Sequence, residues 1–274
     1  MTDELLKIKA SLKKQKPLIH CITNPISINQ CANAILSLGA RPIMAEHPEE
    51  VLNITRESDA LMLNIGNITD ARMESIAISL KAAKEKGIPV LLDAVGVACS
   101  MLRREYILSL LKQHTPSVIK GNYSEIKALY DTEYTSGGVD ADSSINEYNI
   151  TATARELAKR YKTVIMASGK TDVITDGERL IYVKNGTSGL AAVTGTGCML
   201  GAVCTAFMTA EKPVEASAAA CCYFGICGEL SVTDSGYGSF MVNLMDSIST
   251  LGRDEILKYC NVEEIYEGKE NNHF

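Results

Sequence analysis

Apolar residues in this chain form short, nearly continuous runs that alternate with longer segments of helical periodicity. The continuous runs predict strands over residues 16–22, 59–66, 88–93, 117–120 and 163–169, with a further short apolar piece over residues 41–46. Between them, spacing of three and four residues predicts helices over residues 28–38, 48–56, 70–86, 100–113, 122–130 and 151–161. Buried strands that alternate with helices indicate a parallel sheet covered on both faces.

The residues that flank these segments support the same boundaries. Ser27 is a candidate N-cap for the helix that stops at Gly39, and Thr69 is one for the helix that closes at Gly87. Residues 132–146 are polar and contain two adjacent glycines, which predicts an exposed and mobile loop.

The pattern changes in the second half of the chain. Residues 172–175 and 179–183 are apolar and flank Asp-Gly-Glu at 176–178, which predicts an antiparallel hairpin at the end of the sheet. Residues 198–210, 213–230 and 240–252 then read as helices rich in small residues. No linker or repeat interrupts the chain, so we expect one α/β domain over residues 1–274, a three-layer αβα sandwich around a mostly parallel sheet.

Charge and composition favour small-molecule partners. The 274 residues carry a net charge of −6 without long runs, so a basic surface for nucleic acid or acidic lipid is not expected. The N-terminal segment is charged and lacks the apolar core of a signal peptide, and no apolar run approaches the ~20 residues of a membrane span. These features predict a cytoplasmic protein that binds neither nucleic acid nor membrane.

Nine cysteines are present, but their spacing does not predict a metal or disulfide framework. No C-x-x-C occurs, and the four histidines are scattered along the chain. We expect eight of the thiols to be structural, because a free cysteine inside an apolar segment behaves as a small hydrophobic residue: Cys21, Cys31, Cys99, Cys204, Cys221, Cys222, Cys227 and Cys260. Cys198 is the exception because it follows a glycine-rich turn.

That turn, Val-Thr-Gly-Thr-Gly-Cys-Met-Leu-Gly at residues 193–201, is the strongest local candidate for a binding site. Two glycines one residue apart precede a predicted helix that starts at or near Gly197, which leaves backbone amides and the positive helix end available to an anion. The spacing matches neither the P-loop nor the dinucleotide-binding fingerprint. The alternative is that the glycines merely let the helix pack close to a strand, and the local string does not separate the two.

Polar residues also follow the predicted strands at their carboxyl ends, where open α/β sheets bind ligands. Asn64, Asp93, Lys120 and Ser168 each stand at such an end, and Glu125 follows close behind. Two carboxylates, a cation and an anion-binding helix start suit a magnesium nucleotide. Each residue has a plainer alternative: Asp93 as a turn former, Lys120 as an exposed side chain, and Asn122 with Glu125 as a capping box.

Five segments in register resemble the hydroxyethylthiazole kinases, which have a ribokinase-like fold. They are Ile-His-Cys-Ile-Thr-Asn-Pro at 19–25, Leu-Met-Leu-Asn-Ile-Gly at 61–66, Leu-Leu-Asp-Ala-Val-Gly at 91–96, Ile-Lys-Gly-Asn-Tyr-Ser-Glu-Ile at 119–126, and Val-Thr-Gly-Thr-Gly-Cys at 193–198. The resemblance implies ATP- and Mg²⁺-dependent phosphorylation of the hydroxyl of 4-methyl-5-(2-hydroxyethyl)thiazole, a thiamine salvage step. It also implies a homotrimer with active sites at subunit interfaces.

The resemblance also implies a role for individual residues. The family's thiazole contacts fall on Asn24, Met44 and Gly195, and its ATP contacts fall on Lys120, Asn122, Ser168 and Gly197. Its magnesium region falls on Asp93 and Glu125, and its catalytic base falls on Cys198. As a base, Cys198 would depend on a thiol pKa that a helix N-terminus can lower and bound triphosphate would raise again.

Two positions depart from the family's pattern. The family usually has proline where this chain has Ala94, and arginine where it has Lys120, so the bidentate fork toward phosphate is lost. Two alternatives therefore remain open: a binding or regulatory protein that keeps the pocket without turnover, and another ribokinase-like enzyme, either a nucleotide-dependent dehydratase or a kinase for a different hydroxymethyl heterocycle.

Overall fold

A nine-stranded sheet forms the centre of the molecule in a computed structural model, which describes residues 1–136 and 147–265. The spatial order is β2-β1-β3-β4-β5-β6-β7-β8-β9, with β2 to β6 parallel and β7 to β9 antiparallel. The strands are β1 Leu18–Ile22, β2 Arg41–Ile43, β3 Ala60–Asn64, β4 Val90–Asp93, β5 Val118–Asn122, β6 Val164–Ser168, β7 Asp172–Thr175, β8 Leu180–Val183 and β9 Val262–Ile265.

Helices cover both faces of this sheet. They are α1 Thr2–Gln15, α2 Ile28–Ser37, α3 Pro48–Glu57, α4 Asp70–Lys86, α5 Met101–Gln113, α6 Tyr123–Tyr130, α7 Glu147–Tyr161, α8 Ser188–Ala192, α9 Thr196–Phe207, α10 Pro213–Leu230, α11 Tyr237–Thr250 and α12 Arg253–Tyr259. In the two described ranges, no helix is both long enough and apolar enough to cross a membrane.

Two apolar cores lie on opposite sides of the sheet, because side chains along a strand alternate between its faces. In β3, Met62 points into a core shared with α1, α2 and α9 to α12, whereas Leu61 and Leu63 point into a core shared with α3 to α7. The predicted αβα sandwich, with its parallel sheet and antiparallel hairpin, is therefore confirmed. The hairpin pairs Asp172 with Val183 and Thr175 with Leu180.

Local chemistry explains most boundaries, with two exceptions. The Thr69 hydroxyl accepts a hydrogen bond from the Arg72 amide, and Gly87 closes the same helix with a left-handed φ of 78°. Ser27 is the N-cap of α2, as predicted, but its side chain makes no capping hydrogen bond. The helix predicted over 151–161 begins earlier, at Glu147, while the predicted loop at 132–146 lies outside the described residues from 137 onward.

Four elements of the described residues were not predicted, and three of them lie near the ends of the chain. Helix α1 packs Leu5, Ile8 and Leu12 into the first core, although its lysine-rich sequence gave no prediction of a helix. Helices α8 and α12 and the edge strand β9 were also not predicted.

Among the cysteines expected to be structural, Cys99 is exposed and Cys260 is only half-buried, while the other six are buried.

Candidate functional site

The carboxyl ends of β3, β4 and β5 bring three polar side chains into adjacent register. Asn64 pairs across the sheet with Asp93, and Asp93 pairs with Lys120. All three are the last or nearly the last residues of parallel strands, so their side chains share one rim of the sheet. Each is at most 3% exposed, which means that their polar atoms depend on one another for partners.

Two asparagine amides point toward the sulfur of Cys198. Asn24 Nδ2 lies 3.4 Å and Asn64 Nδ2 lies 3.2 Å from Cys198 Sγ. The second hydrogen of each amide is also used, because Asn24 Nδ2 donates to Asn64 Oδ1 at 3.1 Å and Asn64 Nδ2 donates to Asp93 Oδ2 at 3.1 Å. The Gly66 amide donates to Asn64 Oδ1 at 2.9 Å, which fixes the orientation of the Asn64 side chain.

Asp93 and Lys120 form a buried ion pair below this network. Lys120 Nζ donates to Asp93 Oδ1 at 3.1 Å and to Asp93 Oδ2 at 3.2 Å. Burial is the largest single influence on the pKa of Lys120 and lowers it, but Asp93, Cys198 and Glu125 together outweigh burial and raise that pKa. Burial raises the pKa of Asp93, and the Lys120 ammonium opposes that rise. Lys120 is thus a stable cation inside the rim, which corrects the alternative that it is simply exposed.

Helix α9 begins directly beside this cation. Gly195 is its N-cap with a φ of 90°, a conformation that favours glycine, whereas Gly197 already lies inside the helix. A Cβ added at Gly197 would lie 3.8 Å from Lys120 Nζ and would meet no other atom within 4 Å. Because the first amides of a helix have no acceptor within it, α9 offers an open, positively polarised end next to Lys120.

Cys198 sits in the first turn of α9, and the pKa of its thiol is raised although a helix N-terminus can lower it. Burial and the nearby Asp93 charge both raise the pKa of Cys198. Lys120 and the hydrogen bonds from Ser27 and Asn24 oppose that rise without overcoming it. The thiol is therefore the dominant form at neutral pH.

Glu125 occupies a different part of the rim and caps α6. Its Oε2 accepts the Asn122 amide at 2.7 Å, while Asn122 Oδ1 accepts the Glu125 amide at 2.9 Å, so the capping box considered as an alternative is present. Its Oε1 accepts the Gly96 amide at 2.7 Å, which ties the loop after β4 to α6. Burial and the charge of Asp93 raise the pKa of Glu125 to about 7 despite these two donors.

Met44 and Ser168 lie at the carboxyl ends of strands on either side of the network. Met44 follows β2 and packs, partly buried, against the core that contains Cys198. Ser168 ends β6 opposite Asn122, and its hydroxyl donates to the Gly121 carbonyl at 3.3 Å. The rim therefore carries the suggested thiazole positions toward β1 and β2 and the suggested nucleotide positions toward β5 and β6.

Asn64 is the member of this site to which the sequence assigned no role. It contacts Asn24, Asp93 and Cys198, more of the predicted site residues than any other side chain in the network. The available signal was a polar residue at the end of an otherwise apolar strand, which marks a rim position but does not identify its partners.

Comparison with known proteins gives consistent results over nearly the whole chain. The family model described as the hydroxyethylthiazole kinase family matches residues 9–254. Hydroxyethylthiazole kinase 2 of Clostridium botulinum (strain 657 / Type Ba4) is 44% identical over 262 residues, which cover 94% of this chain and 99% of that protein.

Solved structures agree with the sequence comparisons. The structure of a hydroxyethylthiazole kinase from Pyrococcus horikoshii OT3 has a TM-score of 0.88 at 33% identity, with coverage of 96% of this chain and 99% of that one. A ribokinase-like superfamily protein from Enterococcus faecalis V583 has a TM-score of 0.63 at 12% identity and 95% coverage of both chains, which shows a common fold.

Proposed function

The chain belongs to the hydroxyethylthiazole kinase family, and from this premise we propose that it transfers a phosphoryl group from ATP to the hydroxyl of 4-methyl-5-(2-hydroxyethyl)thiazole in thiamine salvage. It is a kinase of the ribokinase-like fold. We further propose that residues 1–274 act as one kinase domain, which the family match over residues 9–254 supports.

One observation carries the assignment of the site: the open N-terminus of α9 lies beside a buried cation and a hydrogen-bonded sulfur. In our proposal, the Gly195, Thr196, Gly197 and Cys198 segment binds the phosphoryl group with its backbone amides, and Lys120 compensates the charge on its oxygens. The 3.8 Å between Lys120 Nζ and the Cβ position of Gly197 supports this arrangement. Fixed dipoles and charges of this kind stabilise a transferring phosphoryl group without reorganisation during the reaction.

Magnesium is expected with ATP, and the carboxylates fit a hydrated ion better than a cage of protein ligands. Among the described residues, no group of three or more His, Cys, Asp or Glu side chains could hold a metal. Both Asp93 oxygens bond to Lys120, but each Glu125 oxygen accepts a single amide and keeps a lone pair for a water. Mg²⁺ commonly keeps several waters and binds substrate phosphates, whose charge it neutralises. We therefore propose that Glu125 and Asp93 contact its hydration shell.

Cys198 is proposed as the base that receives the proton of the substrate hydroxyl. Its raised pKa leaves little thiolate at neutral pH, so its contribution should be small. That is compatible with phosphoryl transfer, in which the loose transition state needs little early proton transfer and depends mainly on positioning and electrostatics. The two asparagine amides stabilise whatever negative charge the sulfur carries.

The thiazole alcohol is proposed to bind toward β1 and β2, in contact with Asn24, Met44 and Gly195. Asn24 is fixed for this role because its Oδ1 accepts the Ile26 amide at 3.1 Å and its Nδ2 contacts Cys198. ATP is proposed to extend toward Asn122 and Ser168. The hydroxyl of the alcohol would then lie between Cys198 and the N-terminus of α9.

A homotrimer with interfacial active sites and a cytoplasmic location complete the proposal. Large apolar side chains at the α2 and α11 surface, which include Ile26, Leu36, Tyr237 and Val242, are each more than half exposed and support a subunit interface there. All nine cysteines carry free thiols, as is usual in a reducing compartment.

A coupled assay of ADP release tests the function directly. The expected result is Mg²⁺-dependent turnover with the thiazole alcohol and much weaker turnover with a hydroxymethyl pyrimidine or pyridoxal. Preference for either of the latter would identify a different ribokinase-like kinase. Binding of ATP and the thiazole alcohol without turnover would favour the pocket-only protein that the Lys120 and Ala94 departures suggest.

A further inference from the structure

Two loops border the proposed thiazole subsite at the carboxyl ends of β2 and β3. Residues 44–47 connect β2 to α3 and carry Met44. Residues 65–69 connect β3 to α4 and lie directly against Asn24, because a Cβ added at Gly66 would stand 2.9 Å from Asn24 Nδ2. The positions of both loops therefore set the shape of the subsite.

A single side chain from α4 contacts both loops. Arg72 Nε donates to Glu46 Oε2 at 2.8 Å, and Arg72 Nη1 donates to the Asn67 carbonyl at 2.5 Å. Arg72 is 7% exposed, so its guanidinium is held between the loops and is not a solvated surface group. The planar fork of an arginine can hold two acceptors at a fixed separation, which a lysine cannot.

Further hydrogen bonds leave the loop of residues 44–47 few alternative positions. Ser75 Oγ donates to the Glu46 carbonyl at 2.7 Å. His20, in β1, donates from Nε2 to the Ala45 carbonyl at 2.9 Å, so its Nδ1 accepts from the Thr55 hydroxyl, also at 2.9 Å. Hydrogen bonds therefore fix the backbones of the two residues that follow Met44. Of the side chains that hold this loop, Arg72 is the one that also bonds to Asn67 in the neighbouring loop.

Helix stability alone does not explain an arginine at this position. Arg72 lies in the first turn of α4, where the positive helix end favours acidic side chains over cations. Asn67 adopts a left-handed φ of 49°, which asparagine tolerates better than most residues other than glycine, and its carbonyl accepts the hydrogen bond from Arg72. Both features are accounted for if the contact from Arg72 to Asn67 holds a required loop geometry.

We propose that Arg72 is a positioning residue for the thiazole alcohol. It joins the loop that carries Met44 to the loop that lies against Asn24, and so fixes the shape of the subsite. The inference rests on the proposed function for the location of the subsite. Arg72 does not touch the substrate in this proposal. Its loss should therefore weaken binding of the alcohol while the phosphoryl-transfer machinery at Cys198, Lys120 and α9 stays in place.

Kinetics of Arg72→Met test the inference. We expect KM for the thiazole alcohol to rise about tenfold, equivalent to roughly 1.4 kcal/mol of binding free energy, with kcat and KM for ATP within about twofold of wild type. KM of Arg72→Lys for the thiazole alcohol should lie between the values of wild type and Arg72→Met, because a single amine cannot hold both loops. A purely structural role would instead lower the active fraction, which reduces kcat and leaves both KM values unchanged.

Glu46→Gln keeps the test valid if Arg72→Met folds poorly. The Glu46 side chain is 48% exposed, so its replacement should not unfold the protein, and it should raise the same KM by a smaller factor. In the double variant with Arg72→Met, Glu46→Gln should not raise KM any further, because both substitutions act on the same contact between Arg72 and Glu46. Arg56→Met is the matched control, since the Arg56 ion pair with Glu85 is exposed and far weaker at 3.7 Å.

The possible outcomes separate the two proposals. Wild-type enzyme without thiazole-dependent turnover would overturn the proposed function and this inference with it. Wild-type turnover combined with an unchanged KM in both Arg72→Met and Glu46→Gln would overturn the inference alone. An equal rise in KM for Arg56→Met would also overturn it, because the effect would then follow from loss of any arginine.

Discussion

The sulfur of Cys198 accepts two amide N–H groups and lies near a buried carboxylate, and these contacts determine how its replacement should act. Cys198→Ala removes the proposed base but leaves the amides of α9 and Lys120 unchanged. We expect kcat to fall by about 100-fold or less, at the low end of general-base effects, with KM for the thiazole alcohol nearly constant. Steady-state kinetics at saturating ATP give the measurement.

Cys198→Asp separates a base from a packing residue. A carboxylate can accept the Asn24 and Asn64 amides that now point at the sulfur, and it is ionised at neutral pH whereas the thiol is not. Activity should therefore be retained or increased, although repulsion from Asp93 limits the gain. Full activity of Cys198→Ala together with an inactive Cys198→Asp would show that the residue only packs.

Glu125 makes the stability of the protein depend on pH. Its folded-state pKa of about 7 lies above the ordinary value of 4.5, so it favours the folded state while protonated and loses that contribution as pH rises through about 7. Between pH 5 and pH 8, the unfolding free energy of wild type should fall by about 2 to 3 kcal/mol relative to Glu125→Gln. Urea unfolding of both proteins at the two pH values measures the difference, and a constant difference would contradict the raised pKa.

The same substitution tests the proposed magnesium role. Glu125→Gln should increase the Mg²⁺ concentration needed for half-maximal activity and lower kcat, because a neutral amide attracts the hydrated ion less strongly. If Glu125 served only to cap α6, the variant would lose stability while its dependence on Mg²⁺ stayed normal. The measurement is the activity of folded enzyme across a Mg²⁺ titration.

At the scale of single elements, the start of α9 separates helix stability from phosphate binding. A Cβ at Gly197 fits without a clash, so Gly197→Ala should keep or raise stability by up to about 1 kcal/mol. The new methyl group would nevertheless occupy the space between the α9 amides and Lys120, which should raise KM for ATP and lower kcat. Thermal unfolding and kinetics on one preparation measure both effects.

Gly238→Ala provides the matched control. It lies in the first turn of α11, where a Cβ also meets no atom within 4 Å. A similar gain in stability is expected there, with unchanged kinetics provided that light scattering shows an unchanged mass, because Gly238 adjoins Tyr237 in the proposed interface. If Gly197→Ala were as active as Gly238→Ala, the N-terminus of α9 would not bind the transferred phosphoryl group.

The sequence and the structure agree best on elements whose signal is local. Thr69 and Gly87 bound α4, and Asp-Gly-Glu at 176–178 marks the hairpin, because capping and turn formation depend on residues close in the chain. Helix α1 escaped prediction for the opposite reason. Its three buried residues, Leu5, Ile8 and Leu12, become a recognisable face only when the core that they pack against is known.

At the scale of the whole molecule, the proposed trimer predicts a mass of about three times the 29.6 kDa of the chain by light scattering. Val242→Asp should dissociate it, because Val242 is 61% exposed on α11 within the proposed interface. Activity should fall with dissociation if the active sites are interfacial. Leu102→Asp, on α5 at the opposite face of the sheet, is the control and should leave both mass and activity unchanged. A fully active monomer would remove the interface from the site.

The sequence by itself determined the succession of most strands and helices, the layered architecture and the rim on which the polar residues lie. These follow from periodicities that repeat within a few residues and from the rule that parallel strands present their carboxyl ends together. The five segments in register also identified the family, since their resemblance needs no knowledge of contacts.

Only the tertiary structure decided which partner each rim residue has. Asn24 and Cys198 stand 174 positions apart and Asn64 and Cys198 stand 134 apart, so no local pattern could reveal that both amides donate to one sulfur. The same holds for the pKa of Cys198, whose direction the sequence left open and which burial and Asp93 raise. Periodicity is a property of neighbours in the chain, whereas hydrogen bonds, burial and charge depend on neighbours in space.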